Sequence, residues 1–187
     1  SLISRESHVV MAVKLPIFLL GFMGCGKTTL GHALHVRTGV DFVDLDVAIE
    51  ARSGMTVKRI FNELGEARFR EMEREQLRHE ARRNGIVACG GGTPLQPGNM
   101  ALMNEIGTTV WLQAPESVLV RRLKEARDAR PLIATLGDKE LELFVADTLH
   151  RRSPHYAMAA ETFDSSRLED EEQIAASVNE FCRRFGL

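Results

Sequence analysis

A glycine-rich segment that begins at Gly21 constrains this chain more than any other feature. It spells Gly-Phe-Met-Gly-Cys-Gly-Lys-Thr up to Thr28, which matches the spacing G-x-x-x-x-G-K-[ST]. The apolar run Ile17–Leu20 precedes it, and an amphipathic stretch over Lys27–Thr38 follows it. Glycines let successive N–H groups converge on one anion, and the start of a helix adds the positive end of its dipole. The segment therefore predicts a strand, a phosphate-binding loop and a helix in succession.

Short apolar runs and longer amphipathic stretches alternate along the rest of the chain. The runs predict strands, and the stretches between them have the spacing of helices. Such alternation favours an α/β fold in which a parallel sheet is flanked by helices. The predicted strands are 17–20, 40–43, 86–89, 108–112 and 161–163, and the predicted helices are 27–38, 46–53, 57–64, 66–83, 98–105, 115–125, 139–149 and 170–185.

Three segments fall outside this rhythm. Residues 126–138 combine Arg127, Arg130, Pro131 and Gly137 with little apolar periodicity, and we expect a mobile lid there. Residues 151–156 are expected to join two helices. Residues 1–12 are expected to form a poorly ordered leader, which leaves 13–187 as a single domain.

Composition excludes several classes of protein. The formal net charge is −2, with 44% hydrophobic and 27% charged residues, so a strongly basic nucleic-acid binder is not expected. No stretch is long and apolar enough for a membrane span, and the start has no secretory signal. Three scattered cysteines, without a CxxC pair, indicate a reducing compartment. We therefore expect a cytoplasmic protein without nucleic-acid or membrane partners.

Other residues of the chain limit the class of protein in which this phosphate-binding loop can act. The chain has no N-K-x-D segment, which a guanine-reading switch protein usually carries. A motor ATPase usually ends a buried strand with an acid linked to magnesium, and here only the second run leads to acids, Asp44 and Asp46. A small kinase remains, in which a second substrate brings the attacking hydroxyl.

The acids and one arginine each allow two interpretations. Asp44 and Asp46 follow a strand at the edge where ligands bind, so one could orient a magnesium-bound water and the other accept a proton. Alternatively, Asp46 caps the next helix and its neighbour is solvated. Arg70 lies on a helix rich in charge, where pairs such as Glu66–Arg70 could simply support a surface helix.

Glycines and arginines further along offer similar choices. Gly90, Gly91 and Gly92 end the third run, and three glycines there favour backbone contact with a ligand over a plain turn. Arg130 in the lid could reach a transferring phosphate or stay exposed. Arg152 could bind a ligand or close a helix C-terminus.

Together these residues resemble the shikimate kinases. The resemblance is carried by GFMGCGKTTLG at 21–31, DLD at 44–46, IFNELGEARFREME at 60–73, the triple glycine, RPL at 130–132 and RSPHY at 152–156. These motifs occur in family order over nearly the whole chain. The resemblance implies a P-loop NTPase fold with a five-stranded parallel sheet, a substrate-binding region and a lid, and MgATP-dependent phosphorylation of the 3-hydroxyl of shikimate.

The resemblance also implies roles for individual residues. It implies that the catalytic residues are Lys27, Asp46 and Arg130, with Asp46 as the base. It implies that magnesium is bound by Thr28 and, through water, by Asp44. The residues implied to bind shikimate are Asp46, Arg70, Gly91, Gly92 and Arg152. The residues implied to bind ATP are Gly24, Cys25, Gly26, Lys27, Thr28, Thr29, Arg122, Arg130 and Arg167, of which Arg122 and Arg167 flank the adenine.

Two alternatives remain open at this point. The first is a related kinase for another small polyol or a nucleoside monophosphate, although Asp46, Arg70 and Arg152 favour a hydroxylated acid. The second is a regulatory module that binds nucleotide without catalysis, which the acidic pair and Arg130 disfavour. In every case we expect a monomer.

Overall fold

The computed structural model describes residues 13–187 and contains five strands and eight α-helices in that part of the chain. The strands are β1 (Ile17–Leu20), β2 (Phe42–Asp44), β3 (Ile86–Ala88), β4 (Thr108–Gln113) and β5 (Glu161–Asp164). The helices are α1 (Lys27–Thr38), α2 (Leu45–Ser53), α3 (Val57–Leu64), α4 (Glu66–Glu80), α5 (Asn99–Ile106), α6 (Glu116–Glu125), α7 (Asp138–Tyr156) and α8 (Glu171–Phe185). The leader expected at residues 1–12 lies outside the described residues.

The strands form one parallel sheet, as predicted, and their order in it is β2-β3-β1-β4-β5. Ile17 pairs with Ile86 on one side and with Thr108 on the other, so β1 is the central strand. Parallel strands end at the same edge, and ligands bind at that edge where the strand order reverses. The loop after β1, the acids at the end of β2 and the glycines after β3 therefore meet at this edge.

Alternating side chains of β1 supply two hydrophobic cores. Ile17 and Leu19 are buried against α1, α6, α7 and α8 on one face of the sheet. Phe18 and Leu20 are buried against α2, α3, α4 and α5 on the other face. Successive strand residues point to opposite faces, so four apolar residues in a row fit a sheet that is covered on both sides. The sheet edge that carries the glycine-rich loop thus rests on a rigid centre.

One sequence expectation about α7 is wrong. Residues 151–156 were expected to connect two helices, but α7 continues through them to Tyr156 with Pro154 inside it. Proline removes one helical hydrogen bond. The side chain of Tyr156 is completely buried, and its packing holds the final turn despite this loss. Arg152 is consequently a helical residue, one turn before Tyr156.

The segment expected to be a lid packs partly into the protein. Residues 127–129 form a short 3-10 helix, followed by turns up to α7. Ile133 is buried in the core on the α7 side of the sheet. Arg127 donates to the Leu136 carbonyl and to Asp138, so it joins the two ends of the segment. No helix among residues 13–187 is long and apolar enough to cross a lipid bilayer.

Candidate active site

The glycine-rich loop curls around the ammonium group of Lys27. Lys27 Nζ donates to the carbonyls of Gly21 at 2.5 Å and Phe22 at 3.1 Å. Gly24 and Gly26 have φ angles of +78° and +101°, which residues with a Cβ rarely adopt. Helix α1 begins directly after this curl, so its N-terminal N–H groups face the same hollow. The glycines, Lys27 and the start of α1 lie within a few residues of one another, so the local sequence explains the conformation of the loop.

A cavity of about 280 Å³ opens beside the loop. Most of the residues expected to bind ATP line it: Gly24, Gly26, Lys27, Thr28, Thr29, Arg122 and Arg130. Met23, Leu168 and Glu169 also line it, although no sequence motif points to these three residues. The basic groups and the helix N-terminus suit phosphates, whereas Leu168 offers an apolar wall.

Arg122 holds one wall of this cavity together. Its guanidinium donates to the carbonyls of Gly24, Ser165 and Ser166 and to the carboxylate of Glu169. These bonds tie α6 to the glycine-rich loop and to the segment between β5 and α8. The contacts arise from residues far apart in sequence, so Arg122 both lines the cavity and fixes its shape.

Two residues expected to bind ATP lie outside this lining. Cys25 is buried beneath the loop, with its Sγ 3.7 Å from Lys27 Nζ. Its N–H already donates to the Phe22 carbonyl. Arg167 is exposed, and its carbonyl accepts from Ser177. Its neighbour Leu168 is the residue that reaches the cavity.

The acids at the end of β2 have different roles, and the sequence left open which acid has which role. Asp44 caps α2, because its Oδ1 accepts the N–H groups of Asp46 and Val47 at 2.9 and 3.2 Å. The alternative in which Asp46 is the cap is therefore wrong. Asp46 lies in the first turn of α2, and its carboxylate takes no part in capping.

Asp46 has the electrostatics of a group that can take up a proton. The pKa of Asp46 is raised from 3.8 to about 6, chiefly by burial and also by the nearby carboxylates of Asp44, Glu73 and Glu50, while Arg70 opposes the rise. A carboxylate with a pKa near the working pH is suited to general-base catalysis. The expectation that Asp46 is the base stays a prediction.

Arg70 is held in place by an acid buried beneath it. Its Nη1 lies 3.1 and 3.2 Å from the two carboxylate oxygens of Glu73, whose side chain is 1% exposed. Glu73 also accepts from Thr93 Oγ1 at 2.9 Å. The interpretation of Arg70 as a surface helix residue is incomplete, because its partner is buried and its Nη2 extends toward the triple glycine.

The triple glycine approaches all the candidate substrate residues at once. A methyl group built at Gly92 would lie 2.9 Å from Arg70 Nη2, and one at Gly91 would lie 2.6 Å from Arg152 Nη1. A methyl group at Gly90 would have Asp46 Oδ1 at 3.9 Å. The absence of side chains at these positions thus allows two guanidinium groups and a carboxylate to surround one loop.

This loop also adjoins the phosphate site. A methyl group at Gly91 would lie 3.7 Å from the Gly21 carbonyl oxygen, which accepts from Lys27. The Gly91 carbonyl accepts from the Tyr156 hydroxyl at 2.7 Å. Burial raises the pKa of Tyr156 to about 12, with Arg152 opposing the rise, so the hydroxyl stays protonated as a donor.

The donors present fit magnesium held mainly by a nucleotide. Within residues 13–187, no cluster of three or more His, Cys, Asp or Glu could hold a metal ion. Magnesium usually keeps several waters and binds one or two protein oxygens together with phosphates. Thr28 lines the phosphate cavity, and the second carboxylate oxygen of Asp44 is not used in the cap.

Glu73 and Tyr156 are the functional candidates that sequence reasoning missed. Glu73 lies three residues after Arg70 on a predicted helix, a spacing that places the two side chains side by side, but spacing does not reveal burial. Tyr156 lies four residues after Arg152, and this signal was hidden by the assumption that residues 151–156 leave the helix.

Comparisons with known proteins agree with this geometry. A family model described as "Shikimate kinase" matches residues 23–183. A shikimate kinase of Phocaeicola vulgatus is 46% identical over 164 residues, which cover 87% of this chain and 94% of that protein.

Solved structures show the same relationship. The crystal structure of shikimate kinase from Bacteroides thetaiotaomicron is 43% identical, has a TM-score of 0.86, and covers 91% of this chain and 98% of its own. Shikimate kinase from Acinetobacter baumannii in complex with shikimate is 29% identical, with a TM-score of 0.73 and coverage of 89% and 90%. The range matched by the family model includes Lys27, the acids, the triple glycine and α7, and the solved structures establish the P-loop NTPase fold. The chain belongs to the shikimate kinase family, whose members are ATP-dependent kinases.

Proposed function

We propose that this chain transfers the γ-phosphoryl group of MgATP to the 3-hydroxyl of shikimate, giving 3-phosphoshikimate and ADP. The observation that carries this proposal is the convergence of Arg70, Arg152 and Asp46 on the triple glycine, next to the loop that holds Lys27. Two guanidinium groups fit one carboxylate, and a nearby carboxylate fits hydroxyl groups. The shikimate complex of the Acinetobacter baumannii relative supports the same substrate.

Arg70 and Arg152 bind the carboxylate of shikimate in this proposal. Arg70 is oriented by the buried Glu73. Within residues 13–187, Arg152 has no carboxylate partner, whereas the adjacent Arg151 pairs with Asp147. An unpaired, half-buried guanidinium beside a glycine loop favours binding of an external anion. The N–H groups of Gly91 and Gly92 complete the site.

Asp46 binds the reacting hydroxyl and accepts its proton. Its raised pKa makes proton uptake favourable as the hydroxyl attacks. Asp46 lies in the first turn of α2 and the Gly90 loop faces it, so a ring whose carboxylate lies on the arginines presents a hydroxyl to Asp46. Asp46, as the base, therefore faces the hydroxyl groups of the substrate.

Lys27 and Arg130 stabilise charge on the phosphoryl group as it moves. Both line the cavity beside the loop, and such preorganised cations supply most of the catalysis in phosphoryl transfer. Thr28 and, through water, Asp44 would hold Mg²⁺, which neutralises phosphate charge when bound. Gly24, Gly26 and Thr29 contact the phosphates, with Cys25 contributing as part of the loop, while Arg122, Leu168 and the neighbouring Arg167 flank the adenine.

We also propose that the enzyme acts as a cytoplasmic monomer with a lid at residues 126–138. Cys25, Cys89 and Cys182 are free thiols, which suits a reducing compartment. Arg130 in the lid reaches the phosphate cavity, so closing motion there would exclude water from the transferring group.

The test is ADP release from MgATP with shikimate, with D-gluconate and AMP assayed in parallel. Release with shikimate alone is expected, and Lys27→Met and Asp46→Asn should abolish it. Arg152→Met should raise the shikimate KM by roughly ten- to a hundredfold, because a hydrogen bond to a charged group contributes about 1.5–3 kcal/mol. Arg152 is a cleaner choice than Arg70, whose removal would strand Glu73 as a buried unpaired charge.

Each outcome separates one interpretation from another. Release with gluconate or AMP, and none with shikimate, would retain the kinase and overturn the substrate. Binding of ATP without release under any condition would support a regulatory module. An unchanged shikimate KM in Arg152→Met would remove the carboxylate assignment from that residue.

A further inference from the structure

Tyr156 belongs to none of the roles described so far, yet it touches the centre of the substrate site. Its side chain is completely buried, and its ring packs against Trp111 with centroids 5.8 Å apart. Its hydroxyl donates to the Gly91 carbonyl at 2.7 Å. Packing alone would need only the ring, so the hydroxyl calls for a separate explanation.

The bond to Gly91 determines which way one peptide group faces. In a trans peptide, the carbonyl of one residue and the N–H of the next point in opposite directions. A carbonyl of Gly91 turned toward Tyr156 therefore turns the N–H of Gly92 the other way. Within the described residues, this N–H donates to no protein acceptor, and the guanidinium groups of Arg70 and Arg152 flank the same loop.

Glycine makes this orientation easy to lose. A peptide between two glycines can rotate at little steric cost, and rotation would exchange the directions of the Gly91 carbonyl oxygen and the Gly92 N–H. A carbonyl oxygen repels a carboxylate, whereas an N–H attracts it. We propose that Tyr156 is a positioning residue that locks the Gly91–Gly92 peptide with its N–H toward the substrate carboxylate. This inference rests on the proposed function and deepens it.

Tyr156→Phe removes the hydroxyl and keeps the ring. We expect the shikimate KM to rise about tenfold, while kcat and the ATP KM change less than twofold. Thr148→Val is the matched control, since Thr148 is a buried residue of the same helix whose hydroxyl has no partner in the described structure. That variant should keep wild-type values.

The methyl ester of shikimate distinguishes orientation from general packing. The ester lacks the negative charge that the Gly92 N–H would attract, so the preference of the enzyme for shikimate over the ester, measured as the ratio of kcat/KM, should fall about tenfold in Tyr156→Phe. If Tyr156 had a purely structural role, its loss would lower kcat/KM equally for both substrates and leave this ratio unchanged. That result would overturn the inference.

Replacement of Tyr156 by p-aminophenylalanine and by 4-fluorophenylalanine covers the case in which Tyr156→Phe does not fold. The amine restores a donor and should restore the shikimate KM, whereas the fluoro ring should not. Equal KM values for these two proteins would refute the role of the donor. Wild-type enzyme that fails to phosphorylate shikimate would instead refute the proposed function, so the two failures are distinguishable.

Discussion

Burial of Asp46 beside other carboxylates leads to an unusual expectation: Asp46→Asn should stabilise the protein at neutral pH while it abolishes activity. The pKa of Asp46 is about 6 in the folded protein, against an ordinary 3.8. Between these values the folded state binds more protons than the unfolded state, so the free energy of unfolding falls as pH rises. At about 1.36 kcal/mol per pKa unit, the loss by pH 7 is roughly 3 kcal/mol.

Asparagine carries no charge and escapes this loss. The stability of Asp46→Asn relative to wild type should therefore grow by roughly 2–3 kcal/mol between about pH 4 and pH 7. Urea unfolding followed by the fluorescence of Trp111, the single tryptophan, measures this difference at each pH. ADP release with shikimate measures the accompanying loss of activity.

Asp128→Asn is the matched control for this experiment. It removes a carboxylate of the same size from an exposed position in the segment before α7. A similar pH-dependent gain in that variant would show that overall charge, and not the surroundings of Asp46, sets the effect. A relative stability of Asp46→Asn that stays flat with pH, or that falls toward pH 7, would refute the reasoning.

Two further predictions concern the nucleotide side. Arg122→Ala removes the bonds that tie α6 to the glycine-rich loop and to Glu169. Steady-state kinetics should therefore show an ATP KM raised roughly tenfold and an unaltered shikimate KM. Equal changes in the two KM values would contradict this prediction. Ile133→Ala opens a cavity where the lid segment enters the core. It should lower the free energy of unfolding, measured in urea, by roughly 2–4 kcal/mol. A loss near zero would show that Ile133 does not anchor the lid segment.

The phosphate-binding loop illustrates what local sequence can predict. Its glycines, its lysine and the helix that follows interact within a few residues, so spacing alone is sufficient to place Lys27 in the curl of the loop. The strand order could not be predicted in this way, because it depends on hydrogen bonds between strands far apart in the chain. Helix ends were less predictable, because the buried Tyr156 extends α7 beyond Pro154.

The substrate side depended on contacts between distant segments. The sequence indicated Asp44 and Asp46 as candidate site residues, but which of the two caps α2 depends on backbone geometry. Arg70 and Glu73 are neighbours on one helix, and their importance comes from Thr93 and the triple glycine, which pack over them from elsewhere in the chain. No periodicity in α4 could reveal this.

The class of fold, the phosphate-binding loop and the residue types available for a hydroxylated acid could be predicted from the sequence. These follow from interactions between residues close together in the chain. Three findings required the folded chain: Asp46 is the carboxylate with a raised pKa, Arg122 forms a wall of the cavity beside the glycine-rich loop, and Tyr156 holds the Gly91 carbonyl. Burial and hydrogen bonds between distant segments exist only after the sheet has brought its strand ends together.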